Sequence, residues 1–106
     1  MSPCPRCAGG YPALLAQAML GFLAERGVAP DVAARAVEAV VCASARLLEG
    51  RVAGAPALVQ TFIAYRGTTC AGLEAAEAAG FTAAVKAGLA AATAKAAEMR
   101  EAARQG

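Results

Sequence analysis

Apolar residues recur along this chain at helical spacing, and glycine or proline interrupts them where helices are expected to begin and end. The first run extends from Pro12, which suits the first turn of a helix, to Arg26, just before Gly27. Its large apolar residues occur almost all round the helix rather than on one face: Leu14, Leu15, Met19, Leu20, Phe22 and Leu23. A helix of this kind has to be covered from several sides.

A second run opens with Pro30 and Asp31, whose charge favours the positive end of a helix. The run predicts a helix that continues to about Glu49 and stops at Gly50. Its apolar stripe follows the helical period and comprises Val37, Val40, Val41, Ser44, Leu47 and Leu48.

The rest of the chain predicts three more helices. A short one starts at Pro56, and a long one runs from about Thr82 to Arg104. The long helix carries a stripe of Phe81, Val85, Leu89, Ala92, Ala96 and Met99. Between these two lies a helix that passes through Leu73 to Ala79 and ends at Gly80. Five helices and no strand predict an all-α domain over residues 11–104, after an irregular N-terminal tail over residues 1–10.

The start of the fourth helix offers chemistry as well as structure. Gly67 permits a tight turn, and Thr68 or Thr69 is predicted to be the N-cap of the helix. Two hydroxyls and free amides at the positive end of a helix can also bind a carboxylate or a phosphate. On chemistry alone, simple capping is the favoured interpretation.

The spacing of this stretch, G-T-T-x-x-G-L-x-x-x-E-x-x-G-F, resembles the hallmark segment of pyrroline-5-carboxylate reductases. The residues in register are Gly67, Thr68, Thr69, Gly72, Leu73, Glu77, Gly80 and Phe81. The chain departs from the family just upstream, because Ala64, Tyr65 and Arg66 stand where the family has Ser, Pro and Gly. A weaker similarity extends from about Gly9 to Met99.

The resemblance implies the C-terminal helical dimerisation domain of that family. Such a domain forms an interlocked dimer similar to the C-terminal-like helical domain of 6-phosphogluconate dehydrogenase, and larger rings of dimers also occur. By resemblance, Gly67, Thr68 and Thr69 would bind the substrate's carboxylate and ring nitrogen. Ala64 cannot supply the hydroxyl of the family's Ser. Arg66 either pairs with a carboxylate or fills the pocket.

Complete members of the family carry a Rossmann domain for NADPH and reduce pyrroline-5-carboxylate to proline. Nothing in this sequence reads as a strand followed by a Gly-rich phosphate turn, so we expect no bound cofactor and no catalysis by this chain alone. Three hypotheses stay open at this point. The chain is a dimerisation and substrate-loop domain, or half of a split reductase that needs a separate nucleotide-binding chain, or a non-enzymatic helical scaffold or regulatory dimer.

Composition supports an oligomer. Alanine accounts for 32 of the 106 residues, and large apolar side chains are few, with no Trp at all. A core built from so few large residues is thin for a monomer, and small domains usually need staples or oligomerisation. Extended alanine surfaces let helices pack closely, which suits a homodimer.

Charge and composition exclude several other classes. The net charge is +2 and the charged residues are scattered singly, so nucleic-acid binding is not expected. No apolar run is long enough to span a membrane, and the N-terminus does not read as a signal peptide. We therefore expect a cytoplasmic protein without a membrane partner.

Metal chemistry is not expected either. The chain has no His, and Cys4 and Cys7 form its only C-x-x-C pair, which is half of a zinc site at most. Cys42 and Cys70 are predicted to pack as small apolar residues inside helices. The role of Cys4 and Cys7, whether part of a plain tail or a redox pair, is left open.

Overall fold

A computed structural model of the chain describes residues 9–105. Within that range all regular structure is helical, which confirms the predicted all-α class. The five α-helices are α1 (Gly10–Glu25), α2 (Pro30–Glu38), α3 (Ala55–Ala64), α4 (Thr68–Ala78) and α5 (Phe81–Gln105). The number of α-helices agrees with the prediction, and most of their ends fall within two residues of it.

The contacts divide the chain into two compact units, one ending at Ala55 and one beginning at Pro56. In the first unit α1 packs against α2 and against the turn that follows α2. In the second unit α4 packs against α5. A single helical domain over residues 11–104 stays a prediction.

Gly27 terminates helix α1, as the sequence predicts. That residue has a φ of 79° and donates its N–H to the carbonyl of Ala24 at 3.0 Å, while Val28 donates to the carbonyl of Leu23 at 3.0 Å. This is the Schellman arrangement, in which a left-handed residue satisfies the last helical carbonyls. Pro12 lies in the first turn, as expected.

The second helix departs from the prediction of a regular α-helix to Glu49. It is α-helical only to Glu38, opens into a π turn over Ala39–Ala43 and tightens into a 3₁₀ turn over Ser44–Leu48. The hydroxyl of Ser44 donates to the carbonyl of Ala39 at 3.0 Å, a partner that the wide turn brings within its reach. The π turn has more residues per turn than an α-helix and the 3₁₀ turn has fewer, so together they nearly restore the helical register of the side chains. The apolar period of the sequence therefore reveals neither turn. Gly50, with a φ of 72°, follows as the predicted stop.

The core of the described chain is small. In the first unit the buried residues are Ala33 and Val37, both on α2, and in the second unit the buried residue is Cys70. No residue of α1 is buried, and Leu14 is 64% exposed. An apolar helix of sixteen residues without a buried side chain has a surface that another polypeptide would have to cover.

The stripe of α5 is uncovered in the same way. Of its 25 residues none is buried, and Phe81 and Met99 are 51% and 62% exposed. The face predicted from the apolar period stays a prediction, because no residue of α5 is buried among the residues that the structure describes. Among residues 9–105, no helix has the length and apolarity needed to cross a lipid bilayer.

Candidate functional site

The candidate site lies where α4 begins. Gly67 is the N-cap, with φ −100° and ψ −157°, and its carbonyl accepts the first helical hydrogen bond from the amide of Ala71 at 3.1 Å. Thr68 and Thr69 are the first two helical residues, and no side chain caps the helix. The prediction that Thr68 or Thr69 is the N-cap is therefore wrong. An N-cap needs a non-helical backbone, and Gly67 has it.

The arrangement retains the elements of an anion site. The amides of Thr68, Thr69 and Cys70 precede the first helical hydrogen bond, so they point out of the positive end of α4. The structure thus brings together three of the four residues predicted for the site, Gly67, Thr68 and Thr69, at one helix terminus.

Arg66, the fourth predicted residue, is placed differently. Its φ is +57°, the only positive φ of a non-glycine residue in the described part of the chain. The left-handed residue of the tight turn predicted at Gly67 is thus Arg66, one position earlier. The guanidinium Nη1 of Arg66 lies 3.5 Å from Oε2 of Glu74, on the second turn of α4. Its charge is therefore paired within the chain rather than directed at the helix terminus.

We expect the backbone of Arg66 to store strain that a glycine would relieve. Arg66→Gly and Arg66→Ala both remove the ion pair with Glu74, but only glycine adopts a positive φ without a steric penalty. The Gly variant should therefore be more stable than the Ala variant by about 1 kcal/mol, the typical cost of a left-handed non-glycine residue. Thermal unfolding at one protein concentration measures the difference, expected to be about 5 °C in Tm. Equal melting temperatures for the two variants would contradict it.

Cys70 is buried beside this pair, at 2% exposure. Burial raises the pKa of its thiol, and the hydrogen bond and negative charge of Glu74 raise it further, against a smaller opposing effect of Arg66. The group is therefore a protonated thiol that packs, as predicted, and not an activated nucleophile. Cys42, in contrast, is exposed, so the prediction that it packs is wrong. It lies in the π turn Ala39–Ala43, which carries no buried residue.

A second polar cluster joins α4 to α5. Oε1 of Glu77 accepts a hydrogen bond from the backbone N–H of Thr82 at 3.0 Å and another from the hydroxyl of Thr82. The pKa of the Glu77 carboxyl lies below its ordinary value, chiefly because of the hydrogen bond from the Thr82 hydroxyl and next because of the bond from the Thr82 backbone N–H. The positive charge of Lys86 lowers this pKa further. Glu77 thus caps α5 from the preceding helix, since Gly80 has no side chain with which to do so.

The sequence contained a signal for this role that our prediction did not use. Glu77 stands in the last turn of α4, where a negative charge is unfavourable for its own helix. An acidic residue there, three positions before a helix-ending glycine, is well placed to serve the next helix. Glu74, which lies eight residues beyond Arg66, gave no such signal.

An open groove of about 460 Å³ lies within the second unit, between α3, α4 and the start of α5. Its walls are mostly apolar, and the residues that line it include Val59 and Ile63 from α3, Leu73 from α4 and Phe81 from α5. Glu74 and Glu77 also line the groove. Both polar clusters of the second unit therefore border one apolar depression.

No metal centre is formed by the residues that the structure describes, because they contain no cluster of three or more His, Cys, Asp or Glu side chains. Cys4 and Cys7, the predicted C-x-x-C pair, lie outside the described residues. The expectation about them stays untested.

A family model described as pyrroline-5-carboxylate reductase dimerisation matches residues 6–99, which is most of the chain. Searches of curated proteins and of solved structures found no match. The match covers α1 to α4 and most of α5, including the start of α4 and the joint between α4 and α5.

Proposed function

This chain belongs to the pyrroline-5-carboxylate reductase dimerisation family, and from that membership we propose that it forms a homodimer and presents a substrate loop without being catalytic by itself. The observation that carries the proposal is the uncovered apolar surface of α1 and α5, the two helices expected to interlock. Burying such surface at roughly 25 cal/mol per Å² is the largest favourable term available to a chain with so small a core.

The proposed loop function concerns the start of α4. The start of α4 carries the hydroxyls of Thr68 and Thr69 and three amides that precede the first helical hydrogen bond, those of Thr68, Thr69 and Cys70, an arrangement suited to a carboxylate. The ligand is proposed to be proline or pyrroline-5-carboxylate, as the family name suggests. Half of the family's pocket belongs to a nucleotide-binding domain, so binding to this chain should be weak, in the range of about 1 mM.

Hydride transfer would require NADPH held by a nucleotide-binding domain. The proposal therefore includes a split arrangement, in which a separate chain with that domain docks beside the loop. Residues 9–105 contain helices and no strand, and a dinucleotide-binding fold is built on parallel strands. We also propose that the protein is cytoplasmic, which stays a prediction from the sequence.

One observation favours the alternative of a helical scaffold or regulatory dimer that has lost the substrate site. Arg66 lies 3.5 Å from the carboxylate of Glu74 on the same chain, and Ala64 has no hydroxyl with which to hold a ligand. If these departures abolish binding, the dimer is all that the chain retains of the family's function.

Titration with proline, followed by the amide NMR spectrum, separates these functions. Millimolar proline is expected to shift the amides of residues 66–72, and Thr69→Val is expected to abolish those shifts while leaving the rest of the spectrum unchanged. Thr93→Val is the matched control, because the hydroxyl of Thr93 donates to the carbonyl of Leu89 in its own helix, at 2.8 Å. Sodium acetate in place of proline tests whether any carboxylate is sufficient.

If proline does not shift the amide resonances of residues 66–72 in the unmodified protein, the substrate-loop function is ruled out and the scaffold function remains. The same sample, supplied with NADPH and pyrroline-5-carboxylate, should leave the absorbance of NADPH constant. Substrate-dependent oxidation of NADPH by the chain alone would show that it is catalytic by itself and would overturn that part of the proposal.

A further inference from the structure

The joint between α4 and α5 consists of only two residues, Ala79 and Gly80. Gly80 has a φ of +100°, and its amide donates to the carbonyl of Glu77 at 2.9 Å, which ends α4. A link this short limits how far the helices can separate. It leaves the angle between them to be determined by the contacts that the two helices make with each other.

Apolar packing at this joint is thin. No residue of α5 is buried, Phe81 is half exposed at the first position of the helix, and Val85 is exposed one turn later. On the side of α4, Leu73 is only half-buried. Packing that leaves side chains this exposed gives the angle little resistance to change.

Two hydrogen bonds of the Glu77 side chain with Thr82 cross the joint. One carboxylate oxygen receives both the backbone N–H and the hydroxyl of Thr82, five residues later and on the next helix. Two donors on one residue fix the position of that residue more tightly than a single bond does. A charged acceptor also makes each bond stronger than a neutral pair. We call this pair of bonds the Glu77–Thr82 clamp.

The length of α5 amplifies any change at the joint. A helix of 25 residues is about 37 Å long at 1.5 Å per residue. A change of about 10° in its direction would therefore move its far end by about 6 Å, more than one helical turn. The apolar stripe from Phe81 to Met99 runs along α5, so a change in the direction of the helix displaces the stripe.

We propose that Glu77 is a positioning residue, which through Thr82 sets the direction in which α5 leaves α4 and so aligns the apolar stripe of α5 for a second copy of the chain. The part concerning the second copy rests on the proposed dimer, whereas the direction of α5 is a property of the single chain. The clamp is distinct from the substrate loop, which lies at the opposite end of α4.

The test compares Thr82→Val, which removes the hydroxyl with little change of shape, with Thr82→Ser, which keeps it. Thr93→Val is the matched control, the same change in the same helix at a hydroxyl that does not cross the joint. Residual dipolar couplings of the amides of α4 and α5 report the angle between the helices. Sedimentation equilibrium reports the dissociation constant of the dimer.

In Thr82→Val the couplings are expected to show a changed angle, and the dissociation constant is expected to rise on the order of tenfold, for two hydrogen bonds reduced to one. Thr82→Ser and Thr93→Val should match the unmodified chain. Glu77→Gln keeps an oxygen acceptor without the charge. Its interhelical angle and its dissociation constant should lie between those of Thr82→Val and those of the unmodified chain. If Thr82→Val does not fold, Glu77→Gln provides the test in its place.

The titration of Glu77 gives a readout that a general loss of stability would not produce. Its pKa lies below the ordinary value in the folded chain, so the clamp contributes fully above the ordinary pKa and is lost as pH falls through the lowered one. Lys86 of α5 is the charged group that lowers this pKa, Glu74 of α4 lines the same groove as a second carboxyl group, and Gln60 of α3 there is neutral. In Thr82→Val the carboxyl carbon resonance of Glu77 should titrate at a higher pH.

The outcomes separate the two proposals. Unchanged couplings in Thr82→Val would overturn the positioning role, whatever the state of association. A changed angle without any change in the dissociation constant of a dimer would overturn the alignment of the stripe. An unmodified chain that sediments as a monomer would contradict the proposed dimer and with it the alignment, and the couplings would still decide whether Glu77 sets the angle.

Discussion

Leu20→Asp is expected to unfold the chain rather than to release a folded monomer. Leu20 lies on α1 and is 39% exposed in the single chain. At a position that remains exposed in solution, a substitution changes the free energy of unfolding by only about 0.5 kcal/mol. At a position covered by a second chain, losing the leucine and burying a carboxylate costs about 3–5 kcal/mol. That is a large fraction of the stability of a small domain, about 5–15 kcal/mol.

Circular dichroism and light scattering at micromolar concentration measure both outcomes. The unmodified chain should be helical with twice the mass of a 10.5 kDa protomer, and Leu20→Asp should lose its helical signal. Gln17→Glu is the matched control, since it places a carboxylate on the same helix at a residue that is already polar and exposed. A folded, monomeric Leu20→Asp variant would show that the chain does not need its partner in order to fold.

Gly80→Val is expected to destabilise the chain by about 2–3 kcal/mol, because valine is among the residues least able to adopt a positive φ. Space is not the obstacle, since a Cβ added at Gly80 would meet nothing within 4 Å. The cost arises because valine would have to adopt the φ of +100° that Gly80 has. Urea unfolding at a fixed protein concentration measures the loss, and the fixed concentration matters because a dimer's stability depends on it.

Gly72→Ala, eight residues earlier in the chain, is expected to stabilise the chain rather than destabilise it. Gly72 lies inside α4 with a negative φ, and a Cβ added there would also meet open space, so alanine should stabilise the helix by roughly 0.5–1 kcal/mol. A gain at Gly72 and a loss at Gly80 would show that the two glycines of the motif have different roles. Equal losses at both would mean that a close approach by another chain, rather than backbone conformation, explains them.

Much of the helical architecture could be predicted from the sequence because its determinants are local. The glycines at positions 27, 50 and 80 were identified as helix ends, and all three have the positive φ that favours glycine over other residues. Prolines in first turns and the apolar period gave the number of α-helices. The spacing of the motif around Thr68 gave the family, which the match over residues 6–99 confirms.

The candidate site was less predictable from the sequence. Its location at the start of α4 follows from local rules, yet which residue caps the helix was not decided by composition, because Gly67, Thr68 and Thr69 all suit an N-cap. The backbone decided it, since Gly67 alone of the three is extended. Substrate binding by these residues stays a prediction.

Tertiary structure alone decided the side-chain contacts that reach across the ends of α4. The pairing of Arg66 with Glu74 and the clamp of Glu77 on Thr82 depend on how the chain turns before and after α4, which no local period encodes. The same holds for the two helical cysteines, because burial is a property of neighbours distant in sequence. A helical period specifies which residues share a face, but only the packing of one element on another decides whether that face is buried, paired or left for a second chain.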